Sequence, residues 1–119
     1  MMVMRGGIVS IESLEYKIKE AKYNKLPITG RNNRICWNRL IEVISETTSF
    51  INWAEEKSSY KREWMYYVPR MQKHYTKVQK AFANVGIIIP IFNSEASMWS
   101  MLRKIAYFDG KIEAIKHIA

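Results

Sequence analysis

Cysteine is almost missing from this chain. Cys36 stands alone, so no disulfide can close within it, and a reducing, cytoplasmic setting is expected. Aspartate is equally scarce: Asp109 is the single one, which excludes the clustered aspartates that hold magnesium. The two histidines, His74 and His117, lie far apart. Neither they nor Cys36 have zinc-ligand spacing, and a structural zinc takes four ligands. Neither GxxxxGKS/T nor GxGxxG occurs, so no phosphate cradle can be read. No metal and no cofactor are expected. No apolar run approaches the ~18 residues that would suggest a membrane span. The opening "MMVMRGGIVS" is too short in its apolar part for a signal peptide, so no membrane partner is expected. Strand-like alternation is nowhere sustained.

What is present is apolar periodicity and positive charge. The 119 residues are 48% hydrophobic and 25% charged, a globular rather than a disordered composition. One domain over residues 1–119 is expected, with residues 1–9 as a frayed terminus. Nineteen Lys and Arg stand against eleven Asp and Glu, a net charge of +8. Such an excess points to a polyanionic partner. The charge is also segregated. Residues 64–94 contain no acid but hold Arg70, Lys73, Lys77 and Lys80, and residues 21–41 contain no acid but hold Arg34 and Arg39 among others.

The periodicity predicts an all-α fold, a compact bundle of four to five helices, mostly antiparallel because the connections are short. Ser10 caps a first amphipathic helix that Pro27 ends. A second helix spans residues 31–56, with Cys36, Leu40, Val43, Thr47, Phe50 and Ala54 on one stripe. A third spans residues 60–84. Its apolar positions, Val68, Met71, Tyr75, Val78 and Phe82, step by three and four. Pro69 lies inside this seam and marks either a kink or a restart. Gly86 stops that helix. The run "IIIPIF" (87–92) has three readings: a plug for the bundle, an exposed protein contact, or a membrane contact. Ser94 caps a last helix whose stripe runs from Met98 to Ile115, with Gly110 tolerated inside it at a cost of ~1 kcal/mol.

On the third helix, Arg70, Lys73, Lys77 and Lys80 are spaced three, four and three apart. A helix turning every ~3.6 residues brings them to one face, about 100° from the apolar stripe. Three readings fit this face: a nucleic-acid surface, a site for an acidic protein, or plain solvation. Gln72 and Gln79 lie among these residues and can add hydrogen bonds to phosphate or ribose. Trp37, Tyr66, Tyr67 and Trp99 could stack on bases, but their spacing favours packing. His74, beside the stripe, reads as a surface histidine. Cys36 reads as a buried small hydrophobe.

Two segments resemble a known family. "RMQKHY" (70–75) gives Arg, an apolar residue and Gln, with Tyr three further on. "LRKIAYFDGKIEAIK" (102–116) centres on an aromatic pair followed by an acid. Both are similar to stretches of the small helical subunit of type III-A CRISPR effector complexes, the Csm family. "LPITGRNNRICWNRLIEVI" is similar to that family's second helix, with Arg34 at its basic position. The chain departs from the pattern at Pro69, at "IIIPIF" and at Gly110. The resemblance implies an all-helical subunit without catalysis of its own. Copies of it would stack into a filament along the crRNA-bearing backbone, beside other subunits of the complex. They would line the channel where guide RNA pairs with target RNA, through sequence-independent contacts.

On this reading the RNA-binding candidates are Arg34, Arg39, Arg70, Lys73, Lys77 and Lys80, with Arg103, Lys104 and Lys111 as lesser ones. The alternative is a small phage- or plasmid-type DNA-binding regulator with a helix-turn-helix around "LPITGRNNR", reading bases through Asn32, Asn33, Arg34 and Asn38. No enzyme is expected. Cleavage that depends on His74 or Cys36 would revive that class.

Overall fold

Ser10 begins the first helix as its side chain allows. Its Oγ accepts from the Ser13 N–H at 3.0 Å, and its carbonyl accepts from the Leu14 N–H at 2.9 Å. One orphan donor of the first turn is thereby satisfied. The computed structural model describes residues 10–24, 30–57, 64–92 and 94–112. Four helices run through them: α1 (Ile11–Asn24), α2 (Gly30–Lys57), α3 (Trp64–Ala83) and α4 (Glu95–Ala106). No strand occurs among the described residues. The expected all-α bundle is the architecture found. The expected frayed segment 1–9 lies outside the described residues.

Pairs of side chains fix how the helices run. Glu46 meets Lys77, Thr47 meets His74, and Trp53 meets Arg70. Rising numbers on α2 match falling numbers on α3, so these two are antiparallel. Phe50 meets Trp99 and Glu55 meets Arg103. Here both numbers rise, so α2 and α4 run parallel, with α3 antiparallel to both. Three helices side by side need this alternation when each connection is short.

The core follows the predicted stripes. Leu14 and Ile18 of α1, Leu40, Val43 and Ile44 of α2, Met71, Val78 and Phe82 of α3, and Leu102 and Ile105 of α4 are all buried. Each fully buried side chain of this kind contributes about 1.5–3 kcal/mol. Trp37 is buried too, so it is a core residue and not a stacking platform.

Three local features answer the sequence expectations, one settling an alternative, one agreeing and one correcting. First, α3 runs unbroken through Pro69, so the helix does not restart there. Pro69 is exposed, and the backbone hydrogen bond it cannot donate is lost beside water rather than in the core. Second, Gly86 ends α3 with φ +85°. The Gly86 N–H donates to the Ala83 carbonyl and the Ile87 N–H to the Phe82 carbonyl, both at 2.9 Å. This paired Schellman arrangement needs the left-handed conformation that glycine takes without a Cβ clash. Third, the last helix does not continue through Gly110. α4 ends at Ala106, and residues 107–111 form turns. The Phe108 and Asp109 N–H groups donate three residues back, to Ile105 and Ala106, and Gly110 takes φ +80°. Gly110 lies in the turns that follow the helix, not in a helix interior. The apolar stripe survives the break, because Phe108 and Ile112 are still buried. Ile115 lies outside the described residues.

The "IIIPIF" run is part plug and part surface. Ile87 and Ile89 are buried, whereas Ile88 is 74% and Ile91 85% exposed. The segment is held from α3. The Tyr75 hydroxyl donates to the Pro90 carbonyl at 2.6 Å, and the Gln79 amide donates to the Ile89 carbonyl at 3.3 Å. Burial pushes the Tyr75 phenol well above its ordinary range, so it stays a neutral donor. Ser94 then caps α4, its Oγ accepting from the Ser97 N–H at 3.1 Å.

Candidate functional site

An open groove of about 990 Å³ runs along α2 and α3. One wall is the basic face of α3: Arg70, Lys73, Lys77 and Lys80 all line it. The sequence spacing places these four together, and the structure does the same. The facing wall comes from α2, with Ser45, Glu46 and Ser49, and the aromatic residues Phe50 and Trp53 line the groove further along that helix. His74 lies between the cations on α3 and is half-buried. Among the described residues, four cations against one carboxylate leave the lining at +3 with His74 neutral.

The cations are not equivalent. The Lys77 ammonium lies 2.5 Å from the Glu46 carboxylate, and Arg39 approaches the same carboxylate at 3.6 Å. Arg39 also binds Glu42 one turn away. The hydrogen bond from Lys77 holds Glu46 below its ordinary 4.5, against the opposing effect of burial and aided by the charges of Lys77 and Arg39. Glu46 is therefore ionised at neutral pH and neutralises part of the stripe. Lys73 and Lys80 have no ion-pair partner among the described residues. They are the two lysines of the groove whose charge is not matched locally. Arg70 lies over the Trp53 ring, 5.7 Å from its centroid.

His74 is not the surface histidine expected from its place beside the stripe. Its Nε2 lies 2.9 Å from the hydroxyl of Thr47, which is fully buried. That hydroxyl has one proton, donated to the Val43 carbonyl at 2.8 Å. Thr47 must accept from His74, so the proton of the neutral ring sits on Nε2 and Nδ1 is an acceptor. The ring also stacks on Phe50, with centroids 5.3 Å apart and planes 15° apart. Burial lowers the His74 pKa below its ordinary 6.5, and Lys77 adds to this while Glu46 opposes it. A neutral acceptor thus stands among four cations.

The other predicted residues lie elsewhere. Arg34 is exposed on α2, and Arg39 reaches the groove only through Glu46. Arg103 pairs with Glu55 and lies over the Trp99 ring at 5.3 Å. Lys111 lies over the Tyr107 ring at 4.3 Å, and Lys104 is half-buried. None of these lines the groove. Gln79 is engaged with the loop after α3 and is not offered to a ligand. Tyr66, Tyr67, Asn32, Asn33 and His117 lie where no side chain is described.

The sequence reading missed Phe50 and Trp53 as groove residues. The signal was present but incomplete. Phe50 sits at the edge of the α2 stripe and Trp53 one step beyond it, yet only the α2–α3 register tells which helix they face. Among the described residues, no three His, Cys, Asp or Glu side chains come together as a metal site would require. No helix among them is long and apolar enough to cross a membrane. No family model, curated protein or solved structure matches this chain.

Proposed function

We propose that the chain is a non-catalytic, cytoplasmic RNA-binding subunit whose α2–α3 groove holds the nucleic-acid backbone without reading sequence. The observation that carries this reading is the convergence of Arg70, Lys73, Lys77 and Lys80 on one open groove where the described residues supply a single opposing carboxylate. A solvated face of mixed sign would spread its charges. Here four of one sign line one concavity, which concentrates the field where a polyanion can enter. The overall charge of +8 acts in the same direction at longer range.

The resemblance to the small subunit of type III-A CRISPR complexes makes the reading more specific. On that basis the partners are crRNA paired with target RNA, the backbone subunits of the complex, and further copies of this chain in a filament. "RMQKHY" supplies Arg70 and Lys73 to the groove, which links the motif to the surface. Arg34, Arg103 and Lys111, outside the groove, are then contacts of secondary weight.

Charge reversal tests the assignment. Lys73 and Lys80 are the informative pair, because Lys77 already has Glu46. Lys73→Glu with Lys80→Glu should leave helix content unchanged and weaken RNA binding steeply. The salt slope should become shallower by ~0.7–0.9 for each phosphate that is no longer held. Unchanged affinity in the double variant would remove the groove as the binding surface. Tight binding to one DNA duplex sequence would instead favour a helix-turn-helix regulator acting through the α2 N-terminus.

A further inference from the structure

The cationic wall explains attraction to phosphates. It does not explain why the same groove is lined by rings. A surface built only for a duplex backbone needs donors and charge. This one also presents Phe50, Trp53 and His74, with the Phe50 ring 5.7 Å from Trp53 and 5.3 Å from His74. All three are half-buried and all line the groove. Apolar rings beside lysines that have no ion-pair partner among the described residues suit a ligand that is flat and apolar on one part and anionic on another.

We infer that the groove is a pocket for an unpaired nucleotide, its base stacked against Trp53 under Arg70 and its phosphate on Lys73 and Lys80. The inference rests on the RNA-binding reading and narrows it to single-stranded or looped-out nucleotides. Arg70 and Trp53 form the two sides of the base site. The guanidinium stands 5.7 Å from the indole centroid. A flat base held between two stacked groups needs about 7 Å, twice the ~3.5 Å contact distance. Arg70 is exposed, and the base site requires its long side chain to swing away from Trp53 as the base enters. Arg and Trp planes are both good stacking partners for bases.

His74 adds the chemistry that the cations lack. Arg and Lys donate and cannot accept. Its Nδ1 accepts, because Thr47 fixes the Nε2–H as the donor side. Such an acceptor can take a hydrogen bond from a ribose hydroxyl, which carries no sequence information. The groove volume, about 990 Å³, lies at the top of the ~300–1,000 Å³ range of small-ligand pockets, so more than one nucleotide has room.

The test compares a short single-stranded oligoadenylate with an abasic ribose-phosphate oligomer of the same length. Both carry the same phosphates, and only one has bases. The stacked pocket predicts that the full chain binds the oligoadenylate about 5- to 150-fold more tightly. Arg70→Met, at an exposed position, should shrink that preference, and Trp53→Leu should shrink it further while the abasic oligomer binds Trp53→Leu as it binds the parent. Circular dichroism checks that each variant folds, and Arg70→Met carries the test if Trp53→Leu does not. Equal affinity of the parent for the two oligomers would overturn the stacked pocket and leave the backbone-binding reading standing. Failure to bind either would overturn both.

Discussion

At the residue scale, the pair Thr47–His74 does most to define the groove. Thr47 is a fully buried polar side chain, and it is satisfied twice, by the Val43 carbonyl and by His74. That arrangement positions the His74 ring against Phe50, and burial, aided by Lys77, keeps it neutral. A histidine with a lowered pKa makes stability depend on pH in a defined direction. Between its ordinary 6.5 and its lower folded value, the unfolded chain binds more protons than the folded one. Stability therefore rises with pH there, is fully present above 6.5, and is lost as pH falls through that window. Glu46, also lowered, acts the same way below its ordinary 4.5. His74→Phe keeps the ring stack and removes the titration. Melting temperature measured across pH 6.5 and below should fall less steeply for His74→Phe than for the parent. An identical pH profile would show that His74 is not held neutral by its surroundings.

At the element scale, α3 has two jobs on two faces. Its apolar face packs the core, its basic face lines the groove, and Tyr75 and Gln79 tie down the loop that follows. Removing the Tyr75 hydroxyl leaves the Pro90 carbonyl with only the longer Gln79 contact at 3.4 Å, so Tyr75→Phe should cost about 0.5–1.5 kcal/mol in urea unfolding. Gly86→Ala should cost about 1–2 kcal/mol, because the alanine Cβ meets the preceding chain at φ +85°. Phe82→Ala, at a fully buried position, should cost ~3–5 kcal/mol through the cavity it leaves. Much of this element was legible in the sequence. The 3.6 period gives the stripe, and Ser10, Gly86 and Ser94 give the caps, because each of these acts within a few residues of itself. The end of α4 was not legible, since a glycine inside a phased stripe fits both a helix and a turn. Nor were Phe50, Trp53 and Glu46 as groove residues. Their roles depend on which face of α2 meets α3, a register that no local pattern encodes.

At the scale of the whole molecule, the four cations of the groove stand within a chain of net charge +8. Several cations, Lys77 of the groove among them, are spent within the fold. Arg39 pairs with Glu42 and Glu46, Lys77 with Glu46, and Arg103 with Glu55. Such exposed pairs contribute only ~0.2–1 kcal/mol each, so their larger effect is to remove charge from some surfaces and leave it on others. In the groove the charge left unmatched among the described residues falls at Lys73 and Lys80, beside Arg70 and the aromatic rings.

Sequence-blind binding of an RNA backbone stands or falls on one titration. The purified chain is measured against single-stranded RNA, an RNA duplex and a DNA duplex of matched length over a range of salt. Binding to RNA should be indifferent to sequence and should fall steeply with salt, with log–log slopes of ~0.7–0.9 per phosphate held. Absence of RNA binding at low salt, or tight binding confined to one DNA sequence, would overturn the RNA-binding reading.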